Sequence, residues 1–131
     1  MRQAMRTLNV LISLLVATLL ASCGSIDNAA TTTVLINGNC GMCEETIETA
    51  ADVDGLSMAD WDKTTRKAVI TYDSTRTSTH AILQRIATAG YDNQEFVADD
   101  AAYENLPMCC QYDRTGTAIA TPDHKDAHTH H

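Results

Sequence analysis

Between Thr33 and Ala98 the chain switches hydrophobic period four times, and that alternation limits its fold more than any other feature. Thr33-Val34-Leu35-Ile36 is a short β-branched run ended by the turn pair Asn37-Gly38. From Gly41 or Met42 the period lengthens. Cys43, Ile47, Ala50 and Ala51 recur at helical spacing until Asp54-Gly55, and Glu44, Glu45 and Glu48 occupy the early turns where the helix dipole favours negative charge. Leu56 to Asp62 and Lys67 to Tyr72 are then two strand-like runs around Lys63-Thr64-Thr65-Arg66, the second alternating Ala68, Ile70 and Tyr72 with Val69 and Thr71, which suggests an antiparallel hairpin. Thr77 or Ser78 can cap a second helix whose stripe Ile82, Ile86 and Ala89 ends at Gly90, and Gln94 to Ala98 reads as a last strand. The order βαββαβ predicts an α+β, ferredoxin-like domain: a four-stranded antiparallel sheet with two helices on one face. The lone Trp61 and its neighbour Met58 read as hairpin packing, and His80 as a surface residue.

Outside this core the sequence divides into further parts. Arg2 and Arg6 precede an apolar run from Val10 to Leu20, about half the length a bilayer-spanning helix needs, so residues 1–22 read as a signal peptide. Leu20-Ala21-Ser22-Cys23 resembles the bacterial lipobox, which implies cleavage before Cys23 and lipid on its sulfur. No Asp follows Cys23, and by the same resemblance this favours the outer membrane, facing the periplasm. Residues 23–31 are small and polar, as a tether would be, and residues 32–98 form the domain. In residues 99–113, a short helical extension, Asp99 or Asp100 can cap a helix bearing Tyr103 and Leu106 that leads to Cys109-Cys110. Residues 114–131 lack apolar periodicity and end with four histidines in His124–His131, either a disordered tail or a loose imidazole trap for Cu(II), Zn(II) or Ni(II).

The formal net charge of −8, nine Lys and Arg against 17 Asp and Glu, argues against a nucleic-acid partner. The cysteines carry the chemistry. With Cys23 lipidated, four remain in two pairs, Cys40 with Cys43 and Cys109 with Cys110, whereas a disulfide scaffold spreads its cysteines along the chain. Cys40 lies in the loop leaving the first strand and Cys43 in the first helical turn, so two sulfurs can converge at a helix N-terminus that favours thiolate. Polarisable thiolates select soft ions such as Cu(I). Adjacent cysteines bridge each other only in a strained ring, so Cys109 and Cys110 are better ligands than partners. A helix of about eight residues plus three extended ones spans a strand's length, which lets Cys109 return to the Cys40 loop and predicts a site of three or four sulfurs. Met42 and Met108 are thioethers beside the pairs, either weak soft contacts or filling.

In this context Cys40-Gly41-Met42-Cys43 resembles the metal-binding motif of the heavy-metal-associated domain family, found in copper chaperones, copper-exporting P-type ATPases and periplasmic mercury-binding proteins. The resemblance covers roughly Thr32 to Ala98, including Trp61-Asp62, Tyr72-Asp73 and Ala89-Gly90-Tyr91-Asp92; it departs at Asn37-Gly38-Asn39, where the family often has a Met anchor, and at Lys63. It implies metal ligation by Cys40 and Cys43, with Tyr91 in the loop bordering the ion. It further implies a carrier that is not an enzyme, with Cu(I) as cargo or Hg(II) or Zn(II) in its place, and a metal-transporting ATPase or efflux component as partner. The acidic face of Glu44, Glu45 and Glu48 could dock a basic partner or simply be solvated. Two other readings stay open: a thiol–disulfide redox protein using Cys40 and Cys43, and an accessory or sensor module of mercury transport or efflux.

Overall fold

The computed structural model describes residues 24–115; the signal segment, Cys23 and the histidine-rich end lie outside the described residues. The elements run β1 (Ala29–Leu35), α1 (Gly41–Ala51), β2 (Ser57–Asp62), β3 (Lys67–Asp73), α2 (Thr79–Thr88) and α3 (Asp100–Glu104), followed by a 3₁₀ turn over Met108–Cys110. The described architecture is α+β. Three antiparallel strands form a sheet in the order β1-β3-β2, with Val34 opposite Ala68 and Trp61 also opposite Ala68 across the two ladders. β1 starts at Ala29, so its first residues come from the stretch whose composition suggested a tether.

Alternation sets the two faces of the sheet. β2 reads buried-exposed from Ser57 to Asp62, with Ser57, Ala59 and Trp61 inward. The core cluster joins Val34, Ile36, Trp61 and Ile70 of the sheet to Ile47 of α1 and Ile82 and Ile86 of α2. Burying each such side chain is worth roughly 1.5–3 kcal/mol. Met58 points the other way and is half exposed, so it is not hairpin packing as its neighbour Trp61 is. The hairpin turn is held by Asp62, whose Oδ1 accepts from the Thr65 N–H at 2.7 Å.

The helices are tied to the sheet by polar contacts that the apolar pattern does not encode. Glu48 of α1 and Asp52, the residue just past its end, accept the Trp61 and Ala59 N–H groups at 2.9 Å each, which covers the outer edge of β2. Arg85 of α2 donates to the last carbonyls of α1, Ala50 at 3.2 Å and Ala51 at 2.9 Å. Ser78 caps α2 through the Ala81 N–H.

The expected fourth strand over Gln94 to Ala98 does not form. Only an isolated bridge joins Ile36 to Asn93. The cause is Asn93: its Oδ1 accepts from the N–H groups of Glu95 and Phe96, and its own N–H donates to the Phe96 carbonyl, so donors that a ladder would use close a turn. Gln94 then pairs with Leu35 in both directions, through its N–H and through its side-chain oxygen. Phe96 packs against His80, whose Nδ1 lies 2.8 Å from Glu95 Oε2.

Candidate metal centre

The loop between β1 and α1 is built to present sulfur. The indole of Trp61 donates from Nε1 to the Ile36 carbonyl at 3.1 Å, and its ring lies where a Cβ on Gly38 would stand 2.8 Å away. Only glycine lets the loop pass that close. The Asn37 N–H donates to the Asp92 carbonyl at 2.8 Å, fixing the loop to the chain beyond α2. Cys40 is the N-cap residue of α1 in an extended conformation, and Cys43 sits one turn in, fully buried in the core cluster. The two sulfurs are 3.3 Å apart, and Cys43 Sγ is also 3.3 Å from Asn39 Oδ1.

A third sulfur comes from the other end of the domain. Cys110 Sγ lies 3.6 Å from Cys40 Sγ, and Cys110 is 1% exposed. The sulfurs of Cys40, Cys43 and Cys110 all lie within 4.8 Å of one another. Metal–thiolate bonds of about 2.3 Å put sulfurs about 4 Å apart around a trigonal ion, so this triangle needs little adjustment to hold one. All the cysteines of the described residues are free. Cys109 does not join the triangle. It is exposed, 3.9 Å from Cys110 Sγ and 3.6 Å from Met42 Sδ. Met108 is 90% exposed and does not fill the core.

The strap from Asp99 to Thr115 is held by residues that carried no sequence signal. α3 is only five residues long, shorter than the eight assumed for its reach, and the remaining distance is covered by the turn through Pro107 and the 3₁₀ turn. Tyr112 accepts the Asp92 N–H on its hydroxyl at 2.7 Å and donates to the Gly90 carbonyl at 3.0 Å. Arg114 grips Asp92 with two nitrogens, at 2.7 and 2.9 Å, reaches Asp100 at 2.9 Å and lies 4.6 Å over the Tyr103 ring. Gly90, at φ +104, ends α2 where a Cβ would meet the Ala102 carbonyl at 2.9 Å. Its missing side chain leaves room for the strap.

The three thiols differ in electrostatics. Burial pushes the Cys40 thiol up, but the Cys43 and Met42 N–H groups at the start of α1 and the Cys43 and Cys110 thiols outweigh it, bringing it down to about 7. Burial, with Cys40 and Cys43 alongside, pushes Cys110 up to about 12. Near neutral pH the Cys40 thiol of the metal-free cluster is therefore about half ionised, beside a protonated Cys110. The Tyr91 hydroxyl is buried without a hydrogen-bond partner, and burial followed by the charge of nearby Cys43 raises its pKa. Of the acidic face, Glu48 is engaged with the Trp61 N–H and is not free for docking.

Fold and site together define a small α+β domain with a three-sulfur cluster at a helix N-terminus, Cys43 and Cys110 buried and Cys40 partly so. No protein-family model matches the chain, and no curated protein sequence does. Among solved structures it is similar to one described as the CopZ metallochaperone, at 24% identity over 49% of this chain and 98% of that one, with a TM-score of 0.46. It is also similar to oxidized MerP from Ralstonia metallidurans CH34, at 34% identity over 50% of this chain and 93% of that one, with a TM-score of 0.45.

Proposed function

We propose that this protein is a carrier or store for a soft, thiophilic metal ion, of the heavy-metal-associated domain type. The observation that carries the reading is the cluster of Cys40, Cys43 and Cys110, three sulfurs within 4.8 Å with no hard oxygen or imidazole ligand among them. Thiolates of this kind prefer Cu(I), and also accept Hg(II) or Zn(II). Cys40 and Cys43 provide the pair on the loop, and Cys110 closes the third side. The chemistry is ligand exchange: a partner's thiolate enters, one of the three leaves, and the ion passes on with no covalent change to either protein. On this reading the protein is not an enzyme. A metal-transporting ATPase or another efflux component is the partner class, and the lipobox-like Cys23 would anchor the domain to the outer membrane, facing the periplasm.

The test is metal uptake by reduced protein. Wild type takes up Cu(I) or Hg(II) in competition with a chromophoric chelator, and the variant Cys40→Ser/Cys43→Ser loses at least 100-fold in affinity; equal uptake by the two overturns the reading. A second reading, a dithiol redox protein, draws on the 3.3 Å separation of Cys40 and Cys43 and the low pKa of Cys40. It requires a Cys40–Cys43 disulfide that exchanges with a protein dithiol, and it predicts catalysis of that exchange by metal-free protein.

A further inference from the structure

The sulfur atoms do not stop at the inner triangle. They form a continuous string: Cys43 to Cys40 at 3.3 Å, Cys40 to Cys110 at 3.6 Å, Cys110 to Cys109 at 3.9 Å and Cys109 to Met42 at 3.6 Å. The string runs from a buried thiol to an exposed thioether. Met42 and Cys109 come from different ends of the domain, α1 and the strap, and meet over the inner cluster.

We propose that Cys109 and Met42, with Cys110 shared as a bridging thiolate, form an outer station that holds a second soft monovalent ion of the Cu(I) class. The inference rests on the soft-metal reading of the inner cluster and extends it. Two arguments carry it. First, Cys109–Cys110 and Cys109–Met42 both fall close to the spacing of about 4 Å expected for sulfurs around one trigonal ion. Secondly, neither Cys109 nor Met42 does packing work. Cys109 is exposed and Met42 is 52% exposed, yet each thioether or thiol faces the other and not water alone. A thiolate already bound to one soft ion keeps lone pairs for another, so Cys110 can serve both stations. With a thioether in place of one thiolate, the outer station is weaker than the all-thiolate triangle, and both of its own donors, Cys109 and Met42, are exposed. Loading at the outer station releases the Cys109 proton to solvent.

The experiment is a Cu(I) titration of the reduced full chain in a Cys23→Ser background, against a chromophoric competitor, with the oligomeric state read by light scattering. The wild-type sulfur set should take up one more equivalent per monomer than Cys109→Ser, and Met42→Leu should weaken that last equivalent at least tenfold. Both variants should bind the first equivalent as tightly as the parent, because neither residue belongs to the triangle. Comparison with Cys109→Ser subtracts any ion taken by the terminal histidines. The inference is overturned if Cys109→Ser binds as many equivalents as the parent, or if the extra equivalent is held only between two chains. Failure of the first equivalent would instead defeat the inner-cluster reading.

Discussion

Cys40 and Cys110 stand 70 residues apart in sequence and 3.6 Å apart at their sulfurs. That contact joins the loop after β1 to the strap after α3, and it turns a two-sulfur motif into a three-sulfur site. The strap therefore does for the metal centre what a core element does for a fold: its anchoring and the site's geometry stand or fall together.

Arg114 is the strongest of those anchors. Replacing it with Ala removes a two-pronged pair with Asp92 and the contact over Tyr103, at a cost of roughly 1.5–3 kcal/mol for charged hydrogen bonds in a partly buried setting. Hydrogen exchange should rise in residues 99–115 while β1 to β3 keep their protection. Uniform protection throughout would mean the strap is held by its apolar contacts alone.

Tyr112→Phe isolates a single hydroxyl. The hydroxyl links the Asp92 N–H to the Gly90 carbonyl, and its loss leaves two buried backbone groups unpaired. Thermal or denaturant unfolding should show a loss of about 1–3 kcal/mol. A change below 0.5 kcal/mol would show that water replaces the hydroxyl.

Gly90→Ala is expected to be costlier than its size suggests. The φ of +104 is strained for any L side chain, and the added Cβ would stand 2.9 Å from the Ala102 carbonyl. A destabilisation of about 1–3 kcal/mol follows from the backbone strain alone. The strap must also shift, so affinity for the third-ligand-dependent ion should fall with it.

The Cys40 thiol supplies a pH test. Its folded pKa of about 7 lies below the ordinary value of 9.0, so the thiolate dominates above neutrality in the folded protein and only above 9 in the unfolded chain. Cys40 thus contributes stability that is full above pH 9 and lost as pH falls through 7. Cys110 has the opposite sign, favouring the metal-free fold below 9 and withdrawing that support as pH rises towards 12. Alkylation of metal-free protein, mapped by mass spectrometry, should show the Cys40 rate half-maximal near pH 7. A midpoint near 9 would contradict the assignment.

Much of this was legible from residue types alone because local rules and tertiary packing agree. The inward alternation of Ala68 and Ile70, the Ser78 cap and the Gly90 stop each sit where pattern and turn chemistry place them. Gln94 to Ala98 misled because an Asn side chain, invisible to hydrophobic period, captures the N–H groups of the next turn. The pair Cys109-Cys110 pointed to the site, but adjacent residues face different ways, and nothing local says which one turns inward. That choice is made by Tyr112 and Arg114, whose partners Gly90 and Asp92 lie over 20 residues earlier.

X-ray absorption on reduced protein loaded with one equivalent of Cu(I) reads the three-sulfur centre closed by the strap at the metal itself. The expected shell is three sulfurs at about 2.3 Å with no nitrogen or oxygen, falling to two in Cys110→Ser. A light-atom ligand in the parent, or an identical sulfur shell in Cys110→Ser, would contradict it.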